Sequence, residues 1–172
     1  TIKPRVLITG ASSGIGATYA DRSPARLTAL ASRLRQAYGV AVEILPADLT
    51  QPRELAAVEA RLRDDASIGI LINNAGAGQV GHFLAQTASS VEQLLALNTT
   101  ALARLAVALV QAGEGAIVNI GSVVGLAPEF GATIYGATKA FVLFLSQGMS
   151  LELSPKGVYV QAVLPAATRS DI

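Results

Sequence analysis

Five short runs of this 172-residue chain are apolar at nearly every position: Arg5–Thr9, Ala41–Leu45, Ile68–Asn73, Ala116–Ile120 and Tyr159–Leu164. They are rich in Val and Ile and mostly do not alternate with polar residues. Strands that read this way are covered on both faces, as in a parallel sheet. Helical patterns separate them at Pro24–Ala37, Pro52–Arg63, Val91–Val110 and Tyr135–Leu153. Ser23 before Pro24 reads as a helix start, and Ser89 with Glu92 three residues on reads as a capping box. Strand alternating with helix predicts a three-layer α/β/α arrangement with a doubly wound parallel sheet. The length suits one domain, residues 1–172, with no linker or repeat.

Two local patterns carry chemistry. After the first strand comes Thr9-Gly10-Ala11-Ser12-Ser13-Gly14-Ile15-Gly16, and then a helical stretch. Strand, glycine-rich turn and helix is the context of a dinucleotide site. Glycines let the backbone approach a pyrophosphate, and the helix N-terminus offers free N–H groups. The spacing is G-x-x-x-G-x-G rather than the commoner G-x-G-x-x-G. The second pattern is Tyr135 with Lys139, four apart and therefore on one helix face. An ammonium beside a phenol favours the phenolate, which makes Tyr135 a candidate proton donor and acceptor near neutral pH.

With Asn73-Asn74-Ala75-Gly76 after an apolar run, Asn98 in Ala96-Leu97-Asn98-Thr99, and Ser122 thirteen residues before Tyr135, the chain resembles the short-chain dehydrogenase/reductase family. The resemblance runs from Arg5 to Ile172. It implies a Rossmann-type fold and hydride transfer between NADP or NAD and a carbonyl or alcohol carbon. Tyr135 would move the proton, and Lys139 would assist it and hydrogen-bond the nicotinamide ribose. Ser122 would donate to the substrate oxygen, and Asn98 would hold a water on a proton path. Cofactor contacts would come from Gly10, Ser12, Ser13, Gly14, Ile15 and Gly16, from Asp48 and Leu49 at the adenine, and from Asn74, Ala75 and Gly76. Pro165 and Thr168 would lie near the carboxamide. Ala166 stands where the family has Gly, and Ser170 where it has Thr.

Composition removes several alternatives. No Cys is present, which excludes disulfides and thiol chemistry, and a single His82 makes a histidine metal cluster implausible. A net charge of +1, with Arg53, Arg61 and Arg63 interleaved among acids, gives no reason for a nucleic-acid partner. No run reaches about 18 uninterrupted apolar residues, and no signal peptide precedes the first strand, so a cytoplasmic protein without a membrane partner is expected. The hydrophobic share is nonetheless 51%. Helices near Val91–Val110 and Tyr135–Leu153 carry more apolar residues than one stripe requires, which predicts a homodimer or homotetramer.

One place breaks the alternation. The helix from Gly14 reaches Asp21-Arg22, and Ser23-Pro24 starts another at once, where the family has its second strand. The chain also stops at Ile172, before a last strand and the substrate-covering helices that the family has. Losing a central strand would leave the first strand's backbone groups unpaired. Arg22 and Ser23 are therefore expected not to be bonded neighbours but to flank a missing segment. That segment would choose between NAD and NADP; Arg22, if it ends the missing strand, tips the choice towards NADP(H). The substrate pocket is expected around Ala77–Gln86 and Val123–Ile134. An epimerase or dehydratase of the same superfamily, and a non-catalytic dinucleotide-binding regulator, are the alternative readings.

Overall fold

The computed structural model describes residues 5–11, 24–78, 81–113 and 115–166. Four parallel strands pair in chain order: β1 (Arg5–Ile8), β2 (Ile68–Asn73), β3 (Ala116–Ile120) and β4 (Tyr159–Val163). β1 and β2 are joined across α1 (Pro24–Tyr38) and α2 (Pro52–Asp64). Between β2 and β3 lies one long helical stretch made of α3 (Ala88–Leu95), a π-helical segment at Ala96–Ala101 and α4 (Leu102–Ala112). The helix α5 (Thr133–Leu153) joins β3 to β4. Parallel neighbours need such crossovers, because a short turn cannot return the chain to the same end of the sheet.

The register explains which face is covered. Leu71 lies opposite Ile117, Asn73 opposite Asn119, and Ile117 opposite Val160. These residues point to one side, and they are buried. On that side α2 and α4 contribute Leu55, Val58, Leu62, Leu105 and Leu109 to a single core. A polar chain runs through this layer. Asn73 Nδ2 donates to Asn119 Oδ1 (3.0 Å) and to the Leu102 carbonyl (3.3 Å), and Asn119 Nδ2 donates to Ser146 Oγ (2.9 Å). The sheet is thus bonded to α4 and α5 through side chains as well as packed against them. On the opposite face Ile70, Ile72, Val118 and Ile120 are only half buried.

Most expected elements are present, with two corrections. No strand forms at Ala41–Leu45; residues 39–48 belong to neither a helix nor a strand. A strand exists through its ladder, and no described strand lies between this segment and β1. A cleft lined by Val6, Ile8, Glu43, Leu45 and Arg61 separates them instead. The capping box also lies elsewhere. Thr87 caps α3, accepting from the Ser90 N–H at 3.1 Å, while Ser90 Oγ accepts from the Thr87 N–H at 3.0 Å. The helix thus begins before Ser89, which is inside its first turn and cannot be the cap. The helix from Gly14 to Arg22, the cap at Ser23 and the Arg22–Ser23 linkage lie outside the described residues.

The end of β1 is fastened to the end of β2 by one hydroxyl. Thr9 Oγ1 accepts the N–H of Asn74 (3.0 Å) and of Ala75 (2.9 Å), and Asn74 Nδ2 returns bonds to the Thr9 and Gly10 carbonyls (3.0 and 3.1 Å). Thr9 is buried, so removing its oxygen strands two amides away from water. Thr9→Val should destabilise the fold by roughly 2–3 kcal/mol, whereas Thr9→Ser should cost well under half of that. Urea unfolding of the two variants beside the parent checks this; equal losses would mean that the methyl group, not the hydroxyl, holds the strands.

Candidate active site

At the carboxyl ends of β1 and β2 the backbone is crowded and small residues are required. Gly10 has φ 69°, and a Cβ there would fall 2.6 Å from Ala75 Cα. No larger residue fits without displacing the Asn74–Gly76 turn. Gly76 is exposed, and a Cβ on it would stand 3.4 Å from Asn98 Oδ1 and 3.6 Å from Lys139 Nζ. The bare backbone here leaves room for a ligand over the two strands. Asp48 sits in a turn in which its Oδ1 accepts from the Thr50 N–H (2.9 Å) and the Thr50 hydroxyl (2.7 Å). Leu49 behind it belongs to the core. Thr50 lines one wall of an open cleft whose other walls include Ala77, Gly78, Gln86, Ser90 and Leu97. Ala77, Gly78, Ala85 and Gln86, from the stretch expected around the substrate pocket, line this cleft. Ser12, Ser13, Gly14, Ile15, Gly16, Thr168 and Ser170 lie outside the described residues.

The π-helical segment places Asn98. Its extra residue per turn offsets the helix, and Asn98 is buried there. Its Oδ1 accepts the Ala77 N–H (2.9 Å), and its Nδ2 donates to the Ala77 carbonyl (2.9 Å) and to Thr138 Oγ1 (3.1 Å). Both side-chain donors are therefore used. The expected water beside Asn98 cannot be held by a free side-chain N–H; the amide acts as a clamp on the loop after β2.

Ser122 follows β3 and caps a short 3-10 turn (Val123–Leu126), accepting the Val124 N–H at 3.2 Å. This bond uses an oxygen lone pair and leaves the hydroxyl proton to donate elsewhere. The turn lies against the start of α5 because two glycines permit it. A Cβ on Gly125 would fall 2.6 Å from the Lys139 carbonyl carbon, and one on Gly136 would fall 3.3 Å from the Val124 carbonyl oxygen. Pro165 braces the same turn by accepting the Val123 N–H at 3.1 Å. Gly125, Gly136 and Thr138 were not legible as site residues from the motifs, and Thr9, which opens the glycine motif, was not given a role. Thr138 lies three residues after Tyr135, on the Tyr135–Lys139 face of α5, which was the available signal.

Tyr135 is half buried on the first turn of α5, and Lys139 one turn on is only 6% exposed. The ammonium nitrogen lies 5.6 Å from the centre of the Tyr135 ring and donates to the Ile120 carbonyl at 2.9 Å. Burial pushes the Lys139 ammonium down to about 8. Desolvation disfavours the charged form, and no acidic group contributes to offset it. No group of three His, Asp or Glu side chains that could hold a metal occurs among the described residues.

The depressed Lys139 value has a sign. Below about pH 8 the group is protonated in both states, and burying the cation opposes folding in full. Between about 8 and the ordinary lysine range only the unfolded chain holds the proton, so stability rises with pH across that window. Lys139→Met should abolish this increment, which is on the order of 3 kcal/mol. The difference between parent and variant unfolding free energies, measured from pH 7 to pH 10.5, checks it. A constant difference would contradict the burial cost.

Known proteins share this chain's family and fold. Residues 4–172 match the family model described as short chain dehydrogenase. Among solved structures, the short-chain dehydrogenase from Sphingobium yanoikuyae in complex with NADPH superposes with a TM-score of 0.95 and 66% identity, over 98% of this chain and 73% of that one. The bulky-bulky ketone specific alcohol dehydrogenase from Comamonas testosteroni gives a TM-score of 0.95 and 60% identity, over 98% and 74%. Among curated proteins, the very-long-chain 3-oxoacyl-CoA reductase of Bos taurus is 31% identical over 180 residues, which take in 92% of this chain and 57% of that protein. Serine 3-dehydrogenase of Agrobacterium fabrum is 34% identical over 184 residues, 96% and 72%. The chain thus spans little more than half of the reductase it matches. Motifs, parallel sheet and family match together make this chain a member of the short-chain dehydrogenase family, with its doubly wound α/β fold.

Proposed function

We propose that this chain carries the dinucleotide-binding and catalytic region, one domain over residues 1–172, of a cytoplasmic NADP(H)-dependent oxidoreductase that interconverts a ketone and its secondary alcohol. The observation that carries the reading is the buried Lys139 ammonium beside the Tyr135 ring on α5, with the Ser122 hydroxyl held at the end of β3. NADP(H) is favoured over NAD(H) by the NADPH complex of the 66% identical Sphingobium protein. A ketone flanked by two large groups is favoured as substrate by the likeness to the 60% identical Comamonas enzyme, which is specific for bulky-bulky ketones.

The small-residue cradle fits such a cofactor. Gly10, Ala75 and Gly76 keep the backbone bare at the strand ends, where open α/β sheets bind ligands. When bound, the nicotinamide supplies or accepts the hydride at the substrate carbon. In the reducing direction Tyr135 gives its hydroxyl proton to the carbonyl oxygen. Ser122 donates a hydrogen bond to the same oxygen and fixes its direction. Lys139 would support the phenolate that remains and would hydrogen-bond the ribose of the bound cofactor. Asn98 keeps the Ala77 loop in place beside it.

The oligomer expected from the sequence rests on a definite surface. Phe141, Phe144 and Leu151 form a stripe along α5, and Phe144 and Leu151 are each 80% exposed. Val107 adds to this apolar exposure from α4. We read the stripe as the contact with a second copy of this chain.

Two outcomes test the proposal. Tyr135→Phe should lower kcat by roughly 10²–10⁴ with folding intact, the usual reach of a general acid–base group; loss of NADPH absorbance with a bulky ketone panel reports it, and near-normal turnover would refute the role. Sedimentation at micromolar concentration should give a dimer or tetramer that Phe144→Glu dissociates. A parent protein that is already monomeric would rule out the α5 contact.

A further inference from the structure

We infer that Thr138 is a positioning residue of the catalytic centre: its side-chain hydroxyl couples the Asn98 clamp to the helical turn that carries Tyr135 and Lys139. The inference rests on the oxidoreductase reading for its kinetic consequence but not for its structural one.

The donor sense of the bonds is forced. Ala77 presents both an N–H and a carbonyl to the Asn98 amide, so the amide oxygen must face the first and the amide nitrogen the second. The second proton of Asn98 Nδ2 then points at Thr138 Oγ1, 3.1 Å away. Thr138 must accept there, and its own proton goes to the Tyr135 carbonyl at 2.7 Å. A continuous relay of three bonds thus runs from the loop after β2, through the π-helical segment, to the first turn of α5. Thr138 is 1% exposed and Asn98 1% exposed, so water cannot replace either partner. Without the hydroxyl, a buried amide proton is left unpaired, and the α5 turn loses its one side-chain tie to Asn98. That turn holds the Tyr135 ring and the Lys139 nitrogen, and Asn98 Oδ1 and Lys139 Nζ both stand over Gly76. A shift of α5 along this contact changes where the proton donor meets the substrate, but leaves the Gly10–Ala75 cradle untouched.

Thr138→Val keeps shape and removes the hydroxyl; Thr138→Ser keeps the hydroxyl. With NADPH and a ketone that the parent reduces, Thr138→Val should lower kcat about 10–100-fold, the scale of a misplacement of up to about 1 Å. KM and Kd for NADPH should stay within about threefold of the parent. Thr138→Ser should recover most of the lost kcat. A Thr138→Val enzyme with kcat within about twofold of the parent, or a Thr138→Ser enzyme as slow as Thr138→Val, would overturn the inference. A residue that served stability alone would lower the melting temperature without this split. Should the parent reduce no ketone, the functional reading fails and the relay is still decided by unfolding. A double-mutant cycle of Asn98→Ala with Thr138→Val should be non-additive by about three- to thirtyfold in the folding equilibrium. Additive effects there would show that the two side chains are not coupled.

Discussion

The site depends on one buried cation. An ammonium group taken out of water without a carboxylate partner is costly, and the fold compensates with geometry rather than with charge. The Ile120 carbonyl accepts one of the Lys139 protons, and the Tyr135 ring lies within cation–π reach. Each requires a particular placement of β3 relative to α5. That placement is made by glycine: the turn after β3 approaches α5 at Gly125 more closely than any side chain would allow, and at Gly136 a side chain would be a tight fit. The Asn119–Ser146 bond, two turns further along α5, holds the same pair of elements from the core side.

What was legible in the sequence follows from how local each cause is. β2 and β3 have the bounds that their apolar runs indicate, because a buried parallel strand is defined by its own side chains. The failure at Ala41–Leu45 has the opposite origin. That segment has strand composition, but a ladder is made by two partners, and none of the described strands reaches it. Ser89 and Glu92 satisfied the capping pattern, yet Thr87 with Ser90 satisfied it two residues earlier, and the first residue able to cap wins. At the site, Tyr135 and Lys139 could be found by spacing because they share one helix face, whereas Ser122 and Asn98 were indicated by the resemblance to the family. Thr9 and Thr138 act through bonds to residues far away in sequence, such as Asn74 and Asn98, and spacing does not record those.

The apolar length of the stretch Ala88–Ala112 also depends on context. By length and composition alone it could cross a membrane. Here Leu94, Leu102, Leu105 and Leu109 are buried, the last three against α2 and the sheet or beside the asparagine chain. Glu59 of α2 forms a two-pronged pair with Arg104 (2.5 and 2.9 Å), which orients α4 on its neighbour. The long helix is hydrophobic because it is covered on the sheet side and interrupted by the π-helical segment that Asn98 occupies.

The two halves of the site are not equally supported. Ser122, Tyr135 and Lys139 stand on β3, which is paired on both edges by β2 and β4, or on the helix that follows it. The glycine turn after β1 stands on a strand paired on one edge only among the described strands. On the other side, Glu43 accepts from both Arg5 and Arg61 at 2.7 Å, and Asp65 accepts from Arg5 at 2.8 Å. These bridges are exposed and weakened by salt; they do not replace a ladder. Gly10 is therefore kept in register by the ladder to β2, continued by the Thr9 N–H to the Ile72 carbonyl (3.0 Å) and by the Thr9–Asn74 exchange. Perturbing the β1 edge should then change how tightly the turn holds a dinucleotide while leaving the proton-transfer residues in place. Perturbing β3 or α5 should chiefly alter proton transfer, touching the cofactor only through Lys139 at the ribose. Cofactor affinity and chemistry thus lean on different strands of one sheet, and they meet at Lys139, whose Nζ stands with Asn98 Oδ1 over Gly76.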